Sequence, residues 1–525
     1  MYKLFTSIKS KLLAITACVF FVTITISCNQ YKKNSTHANV PDENIDDGKA
    51  LAAIHCASCH LLPDPSVLNA ASWEKGVLPA MGPRLGIFFN GFKEYSSAKF
   101  DRNIGASFYP SQPVINSIQW QHIIDYYTAL APDSLEAGKL DEPIENNLPL
   151  FKPMLPAVQF NNPQICFVGI DTIMWPRTLL LGDVTSSSLY RFNNHLQMTD
   201  SLHGDGAIVD IDFAEGKSMA CNVGVIVPNN GKFGSGSNLI MTANNTLRLD
   251  TVRLFDSLQR PVQMTATDFN IDDKEDYLVC EYGNLKGALS WMENKGDRKY
   301  ERHVIREVPG AIKAYIKDYN KDGLPDIYVL FAQGDESIFL YTNKGNGKFD
   351  ESRLLRFPPY NGSSYFELAD FNKDGFPDIV YTCGDNADYS AVLKPYHGVY
   401  IYLNDGANAF TQQYFFHING CFKAIARDFD NDGDLDIATI SFFADYKNRP
   451  EEGFVYLQNN GSLSFKPFSV PETQSGRWLT MNAGDLDGDG KIDLVLGNFS
   501  APIMIKSKVD FQKGPAFMVL KNMGR

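Results

Sequence analysis

The chain has 525 residues, 44% of them hydrophobic and 21% charged, and a formal net charge of −13. It is too long for one ordinary domain and apolar enough for large buried cores, so two unequal domains are expected. The acidic balance argues against nucleic acid as partner, because phosphate binding needs a basic footprint.

The first 27 residues read as an export signal. Lys3, Lys9 and Lys11 precede an apolar run, 12–26, that is short for a membrane span. The run ends in Thr25-Ile26-Ser27-Cys28, which resembles the cleavage site of bacterial lipoproteins; Thr25 stands where that family prefers Leu. The resemblance implies a lipid on Cys28, membrane attachment through it, and a cell-envelope location as an outer-membrane lipoprotein facing the periplasm or the surface. An uncleaved N-terminal anchor is the alternative. Residues 28–47 are polar and read as a flexible tether.

Residues 55–60 are His-Cys-Ala-Ser-Cys-His, so Cys56-x-x-Cys59-His60 has the spacing of a c-type haem attachment site. Two thiols one helical turn apart reach the two vinyl groups of a haem, and the adjacent imidazole reaches the iron. A thioredoxin-like redox pair would need a βαβ context, which the helix-like stretch 46–54 does not supply. With 73–82 and a closing helix at 114–130, residues 48–131 resemble a class I cytochrome c domain. The resemblance implies one covalent haem c and a methionine as second iron ligand. Met81 is the sole methionine between His60 and the end of that helix. Core packing of Met81, or ligation by His122, are the competing readings. One haem with both axial positions filled suits an electron carrier better than an oxidase or peroxidase.

An acidic linker at 132–156 leads into β-rich sequence with a repeated loop. Its oxygen-bearing positions one, three, five and nine are Asp268, Asn270, Asp272 and Asp276; Asp318, Asn320, Asp322 and Asp326; Asp370, Asn372, Asp374 and Asp378; Asp428, Asp430, Asp432 and Asp436; and Asp485, Asp487, Asp489 and Asp493. Successive starts lie 50, 52, 58 and 57 residues apart, the length of a propeller blade. Such loops are hard oxygen cages suited to Ca²⁺. They are not EF-hands, since position twelve is Val279, Val329, Tyr381, Thr439 or Leu496 instead of Glu. Asp273 replaces the usual glycine and weakens the first site.

The pattern resembles the FG-GAP or VCBS repeats of integrin-α-like propellers, over residues 157–525. The resemblance implies a calcium loop between the first two strands of a blade and up to five Ca²⁺. Two blades without calcium carboxylates fit upstream, at 178–184 with 189–193 and at 207–213 with 219–225, giving seven. A strand around 155–160 would complete the last blade and close the ring. The expected architecture is multidomain: a small all-α cytochrome c domain and an all-β seven-bladed propeller. Cys166, Cys221, Cys280, Cys383 and Cys421 are expected in its core.

The longer loops 222–238, 384–398, 441–453 and 498–515 fall on the face opposite the calcium hairpins. Their Tyr389, Lys394, Tyr396, His397, Tyr446, Lys447, Arg449 and Lys506 are candidate binding residues. Three functions follow: an electron-transfer protein whose propeller docks a redox partner, the haem subunit of a sugar or alcohol dehydrogenase, or a glycan-binding or adhesion propeller with a redox domain.

Overall fold

The computed structural model describes residues 31–524 apart from 91–92, 96–102, 174–175, 243, 388–390 and 502–506. Seven antiparallel sheets follow one another as blades: 165–203, 208–258, 261–306, 311–356, 363–417, 421–468, and 478–522 with 151–154. In six of them the chain runs inner strand, second, third, outer; blade two has Phe255–Leu258 as a fifth strand. The second strands Asp276–Glu281, Ile327–Phe331, Asp378–Cys383, Asp436–Ser441 and Asp493–Asn498 are buried along their whole length, because neighbouring blades cover both faces. The outer strand Phe349–Arg356 is mostly exposed and carries charge. All five expected core cysteines are buried and free.

Polar side chains on the inner strands tie most blades to the next. Asp212 accepts the backbone N–H of Ala266 (2.7 Å), Gln263 that of Ala314 (2.7 Å), Glu367 that of Ala426 (2.7 Å) and Asn482 that of Ile170 (3.2 Å). Tyr315 and Tyr365 meet hydroxyl to hydroxyl at 2.9 Å. The four bonds to N–H groups satisfy backbone donors that the sheets leave unpaired at their inner edges.

The ring closes with a strand from the N-terminal side. Phe151–Met154 pairs antiparallel with Phe517–Asn522 as the outer strand of blade seven, so the expected closing strand at 155–160 is corrected to an earlier position. Phe151 packs on Phe429 and Tyr456 (5.5 and 5.4 Å), which fixes its register. Pro153 is tolerated because the strand lies at the sheet edge. The expected linker 132–156 is therefore part of the propeller's packing: Leu140 and Ile144 lie against the core of blades five and six, and Glu145 bridges to Phe468.

Before the ring stands a helical unit. Helix α1, Asp42–His55, crosses helix α2, Ser117–Leu130, at Gly48, where a Cβ would stand 1.9 Å from the His122 carbonyl oxygen. Asn116 and Gln119 form a capping box on α2. Trp73, Trp120, Ile123 and Tyr127 fill the core between the helices. The tether expected over 28–47 is corrected for residues 31–47. Asn34 is buried and donates from Nδ2 to the carbonyls of Thr128 and Ala131, supplying donors that the C-terminus of α2 lacks. No helix among the described residues is long and apolar enough to cross a membrane.

Glu336 is a buried acid at the junction of blades four and five, where its carboxylate accepts the N–H of Ser363 (2.9 Å). Burial raises its pKa from 4.5 to about 8. The folded state thus holds this proton more tightly than the unfolded chain, so its contribution to stability falls as pH rises from about 5 to about 8. Denaturant unfolding at pH 5.5 and 7.5 should show Glu336→Gln removing part of the wild-type slope. An unchanged slope would assign the pH dependence to other groups.

Candidate functional site

The five repeated loops share one backbone frame. The position-one carboxylate accepts the N–H of position six at 2.8 to 3.0 Å in every loop. The position-five carboxylate accepts the N–H of position seven at 2.8 to 3.1 Å. Positions four and six are left-handed throughout, as at Lys321 (φ 60°) and Gly323 (φ 86°). This winding turns the short acidic side chains inward.

Position nine has a second task. Asp276, Asp326, Asp378, Asp436 and Asp493 are buried, and each accepts the N–H of an asparagine at the end of the third strand: Asn294, Asn343, Asn404, Asn459 or Asn522, at 2.7 to 2.8 Å. Each asparagine donates from Nδ2 to the carbonyl just before the aspartate, at 3.0 to 3.2 Å. The carboxylate is therefore a strut between hairpin and third strand as well as a candidate ligand. Burial pushes Asp436 up to about 7 and Asp493 up to about 6, and raises Asp276, Asp326 and Asp378. A divalent cation would reverse that cost. The asparagines were not among the expected residues, although an Asn-x-Gly recurs in each third-strand turn, at Asn294, Asn343, Asn404, Asn459 and Asn522.

The loops differ in how well they fit a metal. Carboxylate oxygens of Asp428, Asp430 and Asp432 lie within 4.8 Å of one another, as do those of Asp485, Asp487 and Asp493. In the second and third loops Asn320 and Asn372 donate to Asp322 and Asp374 (2.9 and 2.7 Å), which keeps the oxygens together. In the first loop Asn270 turns its amide to Glu293 (3.2 Å), and the Lys274 ammonium is 2.8 Å from Asp272. A further group, Glu293, Glu301 and His303, already holds a cation, the Lys295 ammonium, which reaches both glutamates at 2.7 and 3.2 Å.

In the helical unit Cys56 follows α1 directly and packs on the core that also holds Met81, at the end of the short helix Leu78–Met81. Burial, with Cys59 nearby, pushes the Cys56 thiol up to about 11. Cys59 is exposed, and His60 Nδ1 lies 2.9 Å from the Leu61 carbonyl. Nδ1–H donation there leaves the Nε2 lone pair to bind a metal. Ile54 and Leu62, flanking the motif, are exposed. Two free thiols, an imidazole of fixed tautomer, a thioether and uncovered apolar surface fit a covalent haem. His122 instead faces Asp47, with Nδ1 3.3 Å from its carboxylate. Cys28 lies outside the described residues.

The face opposite the calcium hairpins is less open than expected. Lys394, His397 and Tyr446 are buried, and Tyr396 donates its hydroxyl to the Val67 carbonyl (3.1 Å), so the helical unit sits on the blade-five loop. The blade-two loop ends at 233, where strand Gly234–Met241 begins. Tyr389 and Lys506 lie outside the described residues.

Residues 318–381 and 428–496 match the model of the FG-GAP-like repeat. The chain is thus a seven-bladed β-propeller protein carrying FG-GAP-like repeats. Cartilage acidic protein 1 of Mus musculus is 27% identical over 166 residues, which cover 30% of this chain and 25% of that protein. The aligned part is only a quarter of that relative's length. Among solved structures, BBS1N in complex with ARL6DN, soaked with mercury, gives a TM-score of 0.43 at 9% identity, covering 73% of this chain and 98% of that one. Sqt1 of Saccharomyces cerevisiae gives 0.43 at 10% identity, covering 73% and 100%.

The first loop carries a β-branched residue, Ile271, at φ 57°, a conformation costing about 1–2 kcal/mol without glycine. Its side chain is 57% exposed, so little burial is lost on truncation. Ile271→Gly should raise stability by about 1 kcal/mol in denaturant unfolding. A loss of stability would show that the side chain has a structural role.

Proposed function

We propose that the chain is an exported electron-transfer protein carrying one covalent haem c, with a calcium-stabilised propeller as its docking platform. The observation that carries the reading is the His60 Nδ1 bond to Leu61 within Cys56-x-x-Cys59-His60, which prepares Nε2 for iron. When bound, the haem supplies one-electron transfer. Cys56 and Cys59 would hold it through thioethers, and His60 and Met81 would ligate its iron. Cys56 and Met81, both half-buried, pack on the core around Trp73 and Tyr127.

The calcium residues are the five sets at positions one, three, five and nine, with the fourth and fifth loops the best supplied with carboxylates. Calcium acts here on stability. Each loop gathers carboxylates whose repulsion opposes folding, and the cation removes that opposition. A lipid on Cys28 would place the protein in the cell envelope, where the partner is a redox protein, and a carbohydrate is the second ligand class for the propeller. The acidic balance leaves no role for nucleic acid.

Two measurements check this reading. Haem should stay with the polypeptide through acid-acetone extraction, and Met81→Ala should abolish a near-infrared methionine-to-iron band while haem is retained. Haem that washes out removes the covalent assignment. Chelation should lower the propeller's melting temperature, since each site contributes about 2.7 kcal/mol at a hundredfold excess over Kd. An unchanged transition would contradict the calcium reading.

A further inference from the structure

We infer that the helical unit is held directly against a lipid surface and does not swing on a tether. The inference rests on the reading of Cys28 as lipidated, and it comes from where the chain becomes fixed. The Tyr31 hydroxyl donates to Asp46 on α1 (2.5 Å), and its ring packs on the helical core. Lys33 donates to the Val40 carbonyl (2.6 Å). Asn34 is buried: its N–H reaches the Ala129 carbonyl at 2.9 Å and its Nδ2 the Ala131 carbonyl at 3.0 Å.

Only Asn29 and Gln30 separate Cys28 from Tyr31. An extended chain spans at most about 3.5 Å per residue, so Tyr31 lies within about 10 Å of an anchor at Cys28 and Asn34 within about 20 Å. A helix with its side chains is about 10–12 Å across. The pair α1 and α2 therefore cannot rise from the membrane by more than about its own thickness. The propeller follows it, because Tyr396 bonds to Val67 and Val392 packs into the helical core. The lipid surface is thus a contact face of the protein.

Neutron reflectometry on the full-length lipidated protein tests this, using a supported bilayer of phosphatidylethanolamine and phosphatidylglycerol. Protein density should begin within about 20 Å of the headgroups. Twenty Gly/Ser residues inserted between Gln30 and Tyr31 should add a hydrated layer on the order of 25 Å. A wild-type layer already set off by such a gap, or an insertion that leaves the profile unchanged, overturns the inference. Flotation separates this from the lipid reading: a chain that does not float with vesicles of the same lipids removes both, whereas one that floats but stands away from the bilayer overturns close docking alone.

Discussion

One buried carboxylate, repeated five times, sets the terms for the propeller. At position nine of each acidic loop it starts the second strand and accepts a backbone N–H from the end of the third. The same side chain therefore fixes the hairpin and the register of the strand beside it. It is buried at the cost that burial always imposes on a charge, and its donors offset part of that cost: a second backbone N–H, from Phe269, Tyr319, Phe371 or Leu486, in four loops, and the Tyr456 hydroxyl at Asp436. The asparagine beside it completes the strut. Asn343 and Asn522 also reach across to the carbonyls of Phe269 and Phe429 in the preceding blade. Loop chemistry and the packing of blades are thus one construction, which is why a cation bound at the rim would stabilise the whole ring.

The helical unit is built on a different constraint, the close crossing of α1 and α2 over Gly48. That crossing holds the end of α1 in place, so Cys56 stays at the edge of the core and Cys59 and His60 are presented in the turn beyond it. The unit is joined to the propeller by side chains as well as by the chain itself. Tyr396 and Val392 come from the blade-five loop that loop composition alone would assign to ligand binding.

Much of this was legible in the sequence, for physical reasons. Acids at fixed spacing followed by apolar runs read as loop and strand, and their recurrence at blade length marked five blades; the two without acids were read from paired apolar runs upstream. At Cys56 to His60 the spacing was legible, and so were the helices on either side of it. Phe151–Met154 was not, since Pro153 masks a strand that only an edge position tolerates. Residues 31–41 look like tether because they are polar, yet Asn34 is needed at the end of α2, a long-range demand that local composition cannot express. Lys394, His397 and Tyr446 look like surface residues and are buried; Tyr446 donates to the Ser441 carbonyl (2.7 Å), and His397 accepts the Gly420 N–H at Nδ1 while its Nε2 has no hydrogen-bond partner among the described residues. The asparagine of each strut was visible as Asn-x-Gly, but its meaning depends on a partner 17 to 29 residues away.

The central functional claim is that Cys56 and Cys59 hold a haem covalently, and the intact mass of the exported protein, made in a host with haem-attachment machinery, tests it most directly. The account requires the mature chain plus one haem, with the haem mass absent when Cys56 and Cys59 are both replaced by serine. A wild-type protein whose mass includes no haem would contradict it.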